Sequence, residues 1–588
     1  SWAECATLAV LPNAPSAIFP GREDGALRSK RDGLLLRLME KAIIDSTTYA
    51  LAVLEEIPEQ AAALPHHADH ALAHLMQLGE EEQRLESSLS LHLQQHAQAV
   101  LDRYMQRLLP NRIQNAAALI VHIPTGEVRA YLGNTRLPGT PSAYVDIIQA
   151  RRSSGSILKP FLYACAVEEG LIHPKTLLRD VPVRIDDFAP GNFDGNFKGL
   201  VRADEALATS LNVPAVLLLR EYGIGRFLQH LQQMDMRYAD RSADDYGLSL
   251  ILGGAEVCLW DLANNYAVRA AGLSDQSIQG IQLIKDATEL NDSAAESDRA
   301  AWWMISEALT EVERPGVHAY WKSFASGRKI AWKTGTSQGF RDAWSVGYDR
   351  EHLVAVWVGN ADGEGRAGLT GASVAGPLMF SLFDLLPTSR QWEAPLDRLH
   401  PISLCAASGK RPGPHCPTAL FDALPDVVLE AACTSHQPIL LNEDNERVLR
   451  SCAPPPYTDS STYLVEPVAA YYFKGSHSPL FRQFPWSATC REGVDAGRMA
   501  FIYPNRSTRL IIPTGLSGER EKVVLKATHS REDATLYWHL NGRFLGMTNK
   551  LHERVVDMEE GAQELLLLDE RGQRKSLRFD ARLAGSSQ

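Results

Sequence analysis

The sequence predicts a multidomain α+β protein in which helices flank an antiparallel sheet and a small β-sandwich follows. Hydrophobic residues make up 45% of the 588-residue chain and charged residues 22%, which suits well-filled cores. Predicted helices surround the run GRKIAWKTGTSQGFRDAWSVGYDREHLVAVWVGN, which reads as three strands joined by short turns. Near the end of the chain, polar and apolar residues alternate, and Asn541-Gly542 is a strong hairpin signal.

In chain order, the sequence predicts four regions. Residues 1–60 read as helices around the Pro-rich break PNAPSAIFPGR. Residues 66–390 mix strands, as in AALIVHIPTGEVRAYLG, with helices, as in ILKPFLYACAVEEGL, ADEALATSL and AEVCLWDLANNYAVRAAG. Residues 391–497 are rich in Pro, Ser and Cys with little periodicity, which indicates an irregular linker module. In residues 498–588, the strand-like runs KVVLKATHS, ATLYWHLNGRFLGMT and LLLLDERGQRKSLRFDARL predict a β-sandwich.

The charge of the chain argues against a nucleic-acid surface, because the net charge is −12 and binding of that kind needs a basic stripe. No apolar run approaches the roughly 18 residues of a membrane span, and no signal peptide is present. The chain begins without Met in a helical pattern that is already under way. We therefore expect a fragment whose upstream part, with any membrane anchor, is missing.

A lysine stands in the middle of an otherwise apolar run, RRSSGSILKPFLYA. Burying its ammonium group would cost several kcal/mol unless the group is paired. Ser156 and Lys159 are three residues apart, so on a helix they share one face. Gly155 permits a tight start of the helix and Pro160 falls within its first turn, which places Ser156 at the helix N-terminus. The pattern predicts a serine nucleophile with a lysine beside it.

The S-x-x-K spacing is weak evidence by itself, because it also occurs at Ser326 and Lys329 in a polar stretch where we assign it no role. Two further motifs strengthen it: Ser210-Leu211-Asn212 ends a helical run and Lys333-Thr334-Gly335 lies on a predicted strand. A lone S-x-N is usually a helix cap and a lone K-T-G a strand end. All three motifs in this order are typical of β-lactamases and penicillin-binding proteins.

Four of these residues are predicted to be catalytic. Ser156 attacks a carbonyl and becomes an acyl ester, and Lys159 takes its proton. Ser210 relays a proton towards the leaving amine, within reach of Lys333. Two amines near one serine depress each other's pKa, which helps keep one of them neutral.

Five residues are predicted to bind substrate: Asn212, Thr334, Gly335, Thr336 and Ser337. The two threonines, with Lys333, can hold a terminal carboxylate, and the glycine lets substrate lie against the strand edge. Asn212 can donate to a substrate amide carbonyl. The backbone N–H groups of Ser156 and Thr336 could form an oxyanion hole.

The motifs RSSGSILKPF, TSLNVPAV, LGGAEVCLWDLANNYA and KTGTSQGFRDAWSVGY resemble the transpeptidase domain of class A penicillin-binding proteins, over roughly residues 66–390. The opening ATLAVLPNAPSAIFPGR resembles the end of the glycosyltransferase domain in that family, and the tail is similar to the β-sandwich of its 1C branch. The resemblance implies the penicilloyl serine transferase fold, which serine β-lactamases share.

The resemblance also implies a function. The substrates would be peptidoglycan stem peptides ending in D-Ala-D-Ala, which an acyl-Ser156 intermediate would crosslink. β-Lactams would be ligands, other cell-wall synthesis proteins are candidate partners, and no metal or cofactor would be needed. The enzyme would lie on the periplasmic side of the bacterial inner membrane. The glycosyltransfer motifs of the family are absent here, so we expect a bifunctional intact protein but no polymerisation of lipid-linked disaccharide by this chain.

Two other readings remain open at this point. A D,D-carboxypeptidase or β-lactamase would use the same three motifs with water as the acceptor. A non-catalytic β-lactam-binding scaffold or sensor would be acylated without turnover. The large flanking modules favour the synthase, and product analysis separates the three.

The cysteines suit an oxidising compartment, because Cys405, Cys416, Cys433, Cys452 and Cys490 cluster in the linker region. Cys165 and Cys258 lie in apolar helical runs and are expected to be buried thiols. We predict a disulfide between Cys405 and Cys416, which bracket a turn-rich loop.

A second disulfide, between Cys433 and Cys452, would leave Cys490 unassigned. The alternative for this region is a structural zinc site drawn from Cys405, Cys416, Cys433, His415 and His436. Its spacings do not match the usual paired C-x-x-C pattern.

Overall fold

The structure is a computed structural model that describes residues 1–13, 18–19, 25–57, 66–77, 85–183, 185–186, 188–274, 276–285, 296–323, 327–424, 427–473, 479–490, 499–505, 509–513, 520–569 and 573–583. The chain divides into two compact units, Ser1–His67 and Ala68–Gln588. Within the described ranges, no helix combines the length and the apolar character that crossing a bilayer requires.

The first unit is a small helical cluster of α1 (Trp2–Val10), α2 (Ala26–Glu40) and α3 (Ser46–Leu54). The helix α1 starts with a capping box, in which Ser1 and Glu4 each accept a hydrogen bond from the other's backbone N–H. Leu35 of α2 is fully buried in the core of this unit. The Arg31 guanidinium donates to the Glu55 carbonyl at 2.6 Å, which ties α2 to the end of α3. Most of the predicted break PNAPSAIFPGR lies outside the described residues.

A five-stranded antiparallel sheet forms the centre of the second unit, with the strand order β2-β1-β9-β8-β7. The predicted meander is confirmed as β7, β8 and β9, and the predicted pair around PTGE as β1 and β2. Two short pairs, β3 with β6 and β4 with β5, lie outside this sheet. The strands up to this point are β1 (Asn115–His122), β2 (Glu127–Leu132), β3 (Arg152–Ser153), β4 (Leu177–Asp180), β5 (Gly199–Arg202), β6 (Glu256–Val257), β7 (Ala331–Thr336), β8 (Asp342–Tyr348) and β9 (His352–Gly359).

Helices cover both faces of this sheet, as the α+β prediction requires. They are α4 (Asp69–Gln77), α5 (Leu91–Leu108), α6 (Lys159–Glu168), α7 (Ala203–Ala208), α8 (Asn212–Tyr222), α9 (Ile224–Gln233), α10 (Ala243–Tyr246), α11 (Leu259–Gly272), α12 (Glu296–Thr310) and α13 (Gly376–Phe383). Successive side chains of a strand point to opposite faces, so neighbouring residues of β1 serve two cores. Leu119 packs in the core that contains Phe161 of α6, and Ile120 in the core that contains Leu378 of α13.

The region predicted as an irregular linker contains two small sheets, β10-β11 and β13-β12-β14. Its elements are β10 (His400–Cys405), β11 (Thr418–Ala423), β12 (His436–Leu441), β13 (Arg447–Val448), β14 (Thr458–Tyr463) and α14 (Pro467–Tyr472). These strands are short and largely exposed, with only Leu404 and Cys405 buried in β10. Weak burial leaves little periodicity in the sequence, which explains why the strands were not predicted.

Both predicted disulfides are wrong. Cys405, Cys416 and Cys433 are free thiols, and the disulfide of this region joins Cys452 to Cys490. The prediction paired cysteines by closeness along the chain, whereas the fold brings together residues 38 apart in sequence, with Cα atoms 5.3 Å from each other. The expectation for Cys165 and Cys258 is confirmed, since both are buried free thiols.

The C-terminal strands form the predicted β-sandwich. One sheet has the order β15-β17-β20 and the other β16-β22-β21-β18-β19. Leu525 of the first sheet and Trp538 and Leu565 of the second are fully buried in one shared core. Asn541 and Gly542, both at positive φ, form the two-residue turn that the sequence predicted. The strands are β15 (Met499–Tyr503), β16 (Arg509–Ile512), β17 (Val523–His529), β18 (Thr535–Leu540), β19 (Arg543–Asn549), β20 (Glu553–Val556), β21 (Gly561–Asp569) and β22 (Arg574–Leu583).

Candidate active site

Ser156 lies in the turn that leads into α6, and the helix begins three residues later at Lys159. Backbone bonds of the 3₁₀ type shape this turn, from Ile157 N–H to the Ser154 carbonyl at 3.2 Å and from Lys159 N–H to the Ser156 carbonyl at 3.3 Å. Pro160 is in the first helical turn, where its missing N–H removes no helical bond. The sequence predicted Ser156 at the N-terminus of the helix, whereas in the structure it lies three residues before the helix begins.

Two aromatic side chains brace this turn from inside the domain. The Tyr266 hydroxyl donates to the Ile157 carbonyl at 2.8 Å, in a fully buried position. The Trp344 indole N–H donates to the Ser153 carbonyl, also at 2.8 Å. The sequence analysis did not single out either residue, and the signal that could have found them is weak, since both read as ordinary core aromatics. Buried Tyr and Trp usually need a polar partner, and here the partner is the backbone next to Ser156.

Two glycines let the Ser156 turn lie directly against β7. Gly155 has a φ of +54°, and a Cβ there would lie 2.6 Å from the carbonyl oxygen and 2.7 Å from the amide nitrogen of Thr336. A Cβ on Gly335 would lie 2.9 Å from the Ser154 carbonyl oxygen. Contacts this short require glycine at both positions. The S-x-x-K and K-T-G motifs therefore touch backbone to backbone.

The Lys159 ammonium group is fully buried and donates to three acceptors. These are the backbone carbonyls of Ser210 and Leu211, at 2.8 and 3.0 Å, and Oδ1 of Asn212 at 2.8 Å. Burial and the neighbouring Lys333 cation hold the pKa of Lys159 well below its usual 10.5. Among the described residues, no hydrogen bond joins this amine to the Ser156 hydroxyl. A neutral amine has only two N–H donors, so loss of a proton would free one acceptor and leave a lone pair.

Ser210 sits between α7 and α8 in an unusual backbone conformation, with a φ of +56°. It ends α7 by donating its N–H to the Leu207 carbonyl at 3.0 Å, while Leu211 N–H donates to the Ala206 carbonyl at 2.9 Å. This is the bonding of a Schellman motif, in which the left-handed residue is usually glycine. The Ser210 hydroxyl accepts a hydrogen bond from the Lys333 ammonium at 2.8 Å. A serine with this contact at a glycine position indicates a functional constraint.

Lys333 approaches the same turn from β7. Its side chain is 1% exposed, and its ammonium also donates to the Thr334 carbonyl at 2.7 Å. Burial lowers the pKa of Lys333 from 10.5 to about 7. Both buried amines thus donate a hydrogen bond to Ser210, Lys159 to its carbonyl oxygen and Lys333 to its hydroxyl.

Asn212 begins α8, and both the oxygen and the nitrogen of its side-chain amide form hydrogen bonds within the protein. Its Oδ1 accepts from Lys159 and its Nδ2 donates to the Gly191 carbonyl at 2.8 Å. One of the two amide hydrogens is therefore used within the protein, and the predicted contact to a substrate amide would use the other. Behind it, Asn192 accepts from the Asn212 backbone N–H at 2.9 Å and donates to Asp180 at 2.8 Å. The Asp180 carboxyl is fully buried, which raises its pKa.

Asn192 and Asp180 were missed by the sequence analysis. The signal for Asn192 was the loop APGNFDGNFKG, where two asparagines stand among glycines. Nothing in the sequence placed that loop beside the S-x-N turn.

The remaining predicted residues lie along β7, an edge strand. Ser337 N–H donates to the Asp342 carbonyl on β8, at 3.0 Å, so the preceding N–H, of Thr336, points to the open edge. The Thr336 hydroxyl accepts from Gly371 N–H at 3.0 Å. The Ser337 hydroxyl accepts from Asp342 N–H at 2.8 Å, and the residue is 4% exposed. Ser337 thus shapes the turn after β7, and its contact to substrate stays a prediction, as does that of Thr334.

The second S-x-x-K pair does not resemble this site. Ser326 lies outside the described residues. The Lys329 ammonium pairs with Glu307 at 2.6 Å and lies 4.9 Å from the centre of the Trp392 ring. This amine is held by a carboxylate, whereas the three acceptors of Lys159 are uncharged.

Comparisons with known proteins agree with this geometry. The sequence model of the penicillin binding protein transpeptidase domain matches residues 116–380, and that of the Penicillin-Binding Protein C-terminus Family matches residues 488–579. Penicillin-binding protein 1C of Escherichia coli (strain K12) is 30% identical over 98% of this chain and 75% of its own length. Penicillin-binding protein 1B of Vibrio cholerae is 26% identical over 63% of this chain and 50% of its own length.

A solved structure extends the comparison to the fold. The crystal structure of penicillin-binding protein 1A from Haemophilus influenzae has a TM-score of 0.51 at 17% identity and covers 73% of this chain and 87% of its own. The three motifs in contact and the identity across nearly the whole chain lead to one conclusion. The chain belongs to the class A penicillin-binding proteins, in the branch of penicillin-binding protein 1C, and carries their transpeptidase domain.

Proposed function

We propose that this chain is a serine D,D-transpeptidase that crosslinks peptidoglycan stem peptides through an acyl ester on Ser156. The observation that carries the proposal is the convergence of two fully buried amines on the Ser210 turn. Burying one unpaired ammonium group is expensive, so burying two against one turn needs a functional reason. Acyl transfer is such a reason, because it needs a neutral amine as base and a second group to return the proton.

The first half-reaction forms the acyl enzyme. The Ser156 Oγ attacks the carbonyl carbon of the penultimate D-Ala, and its proton passes to neutral Lys159. The carbonyl oxygen becomes an oxyanion that accepts from the backbone N–H groups of Ser156 and Thr336. The position of Gly155 against the Thr336 amide supports this arrangement. The bond to the last D-Ala then breaks, and its nitrogen takes a proton from the Ser210 hydroxyl, which Lys333 replenishes.

The second half-reaction reverses these steps with a different amine. An amine of a neighbouring stem peptide attacks the ester carbonyl and loses its proton through the same groups. A new amide bond forms as the bond to Ser156 Oγ breaks, and the serine regains its proton. No net oxidation occurs and no cofactor is consumed.

Substrate would lie along the open edge of β7. Its terminal carboxylate would be held by Lys333 and the hydroxyls of Thr334 and Thr336, while Gly335 leaves room for its backbone. Asn212 would donate its second amide hydrogen to a substrate carbonyl. A β-lactam carries a strained carbonyl and a carboxylate in a similar arrangement, so we propose that it binds here as well.

The test is acylation by penicillin. The intact mass of the protein should rise by one antibiotic, and the modified peptide should contain Ser156. The Ser156→Ala variant should form no adduct, and Lys159→Ala should slow acylation by about 10²–10⁴-fold because the base is lost. The control is Ser326→Ala, in the second S-x-x-K pair, which should react at the wild-type rate. An adduct on Ser326, or one that survives Ser156→Ala, would overturn the assignment.

Stem-peptide substrate separates the transpeptidase from its rivals. Dimers that disappear in Ser156→Ala support the proposal. Shortened monomers without dimers would instead indicate a carboxypeptidase, and acylation by penicillin without any turnover would indicate a sensor. We further propose that the intact protein works on the periplasmic side of the inner membrane as a bifunctional synthase, with other cell-wall synthesis proteins as partners.

A further inference from the structure

We propose that Cys405, Cys416, Cys433 and His436 form a structural zinc site. The four side chains come from separate points of the module between the transpeptidase domain and the β-sandwich. Cys405 ends β10, Cys416 lies just before β11, and His436 begins β12, three residues after Cys433. Their ligand atoms all lie within 4.8 Å of one another. Three thiolates and one imidazole are a common ligand set of structural zinc.

The distances fit a tetrahedral ion. The Nδ1 atom of His436 lies 3.6, 3.3 and 3.5 Å from the sulfur atoms of Cys405, Cys416 and Cys433. A tetrahedron with Zn–S bonds of about 2.3 Å and Zn–N bonds of about 2.0–2.1 Å has S···N edges of about 3.5–3.6 Å. One nitrogen at these distances from three sulfurs is arranged as one corner of such a tetrahedron.

The surroundings suit a closed site. Cys405 is 0%, Cys433 6% and His436 9% exposed. Backbone N–H groups point at two of the sulfurs, from Ser408 to Cys405 at 3.4 Å and from Gly413 to Cys416 at 3.2 Å. Donors of this kind partly offset the negative charge that thiolates bring to a zinc ion. The His436 ring is oriented from behind by an edge-to-face contact with Tyr463, with ring centres 5.1 Å apart.

A disulfide explains this cluster less well. A pair formed by any two of the three cysteines would leave the third thiol beside the imidazole without a partner sulfur. The same module already holds the Cys452–Cys490 disulfide, so oxidation of cysteines is possible there. Bound zinc would protect the remaining three thiols, since a metal-bound thiolate is occupied as a ligand.

The ion would hold the module against the transpeptidase domain. The loop between Cys405 and Cys416 accepts two hydrogen bonds from that domain, from Leu177 N–H to the Ser408 carbonyl at 2.8 Å and from Thr176 Oγ1 to the Gly409 carbonyl at 3.1 Å. Leu177 starts β4, the strand that ends at Asp180 behind the candidate active site. The zinc site thus fixes the loop on which one end of that strand rests.

Metal analysis of the full chain tests the proposal. Protein purified without chelator should contain about one zinc per chain, and the thiols of Cys405, Cys416 and Cys433 should resist alkylation until a chelator is added. Cobalt added in place of zinc should give the intense visible absorption and thiolate charge-transfer band of a tetrahedral site. Peptide mapping without reduction should find Cys452 joined to Cys490, and Cys405, Cys416 and Cys433 unpaired.

Two histidine variants provide a matched pair. His436→Ala should lose the metal, whereas His415→Ala, an exposed neighbour of Cys416, should keep it. His436→Cys should restore binding, because a fourth thiolate also suits zinc. If the Ala variant fails to fold, the cobalt spectrum of the wild type still decides. Metal-free protein that takes up neither ion, another metal in place of zinc, or a disulfide among the three cysteines would overturn the proposal. None of these readouts depends on acylation, so the two proposals fail separately.

Discussion

The Ser210 position allows backbone strain and chemistry to be tested separately. Its φ of +56° costs a residue with a Cβ about 1–2 kcal/mol, and glycine would relieve this at a cost of about 0.5–1 kcal/mol in chain entropy. Ser210→Gly should therefore be more stable than Ser210→Ala by about 0–1.5 kcal/mol, with a central value of about 0.75 kcal/mol. Both variants lose the bond from Lys333, worth about 1.5–3 kcal/mol as a bond to a charged donor, so both should be less stable than the wild type.

The rate of acylation should depend on the Ser210 hydroxyl and not on the backbone strain at that residue. Both variants should acylate with penicillin about 10²–10⁴-fold more slowly, because each lacks the proton relay. Thermal unfolding and the rate of acylation are measured on the same preparations. Thr209→Ala is the control, since its exposed hydroxyl donates only to the Glu205 carbonyl, and it should acylate normally. A Ser210→Gly variant less stable than Ser210→Ala would refute the strain argument, and a wild-type rate in either variant would refute the relay.

Three further predictions concern the same site. The proposed mechanism needs Lys159 neutral and Lys333 charged, so acylation should have a bell-shaped pH profile. Its rate should fall as pH rises through about 7, where Lys333 loses its proton. Lys333→Arg keeps the charge but cannot pass a proton to Ser210, so its acylation should be slower and should lack that falling limb; a limb that persists would show that another group titrates. Gly155→Ala should lower stability by about 1–3 kcal/mol and slow acylation, because its Cβ would overlap the Thr336 backbone. Asn192→Ala should cost about 1–3 kcal/mol, seen as a lower melting temperature, because it leaves buried polar groups unpaired; an unchanged melting temperature would contradict its role.

The parts of the fold that the sequence predicted are those with a strong local signal. The run that contains β7, β8 and β9 is almost wholly buried, so its strands read as apolar segments between short turns. Asn541-Gly542 fixes a hairpin through its own backbone preferences. Ser156 and Lys159 were singled out as candidates because a charged residue in an apolar run needs an explanation. The four-region division of the chain stays a prediction.

The parts that the sequence could not predict depend on contacts between distant segments. The left-handed conformation of Ser210 follows from how α7 ends. The sequence does not indicate it, because the position holds a serine and not the glycine that is usual there. Asn192 acquires its role only when its loop packs behind Asn212. The prediction of the disulfides failed for the same reason, since the pairing of Cys452 with Cys490 is set by the tertiary fold.

The place of β7 at the edge of its sheet has a consequence for how inhibitor tolerance can evolve. A ligand that pairs with this strand is held partly by peptide groups, which every amino acid supplies, so most point mutations on the strand leave those contacts in place. A variant that no longer binds a drug but still binds its natural peptide must instead change the position of the strand. Gly371 is a position that could do so, because a Cβ there would lie 2.6 Å from the Gly335 carbonyl oxygen. Tolerance mutations are therefore expected behind the strand more than on it.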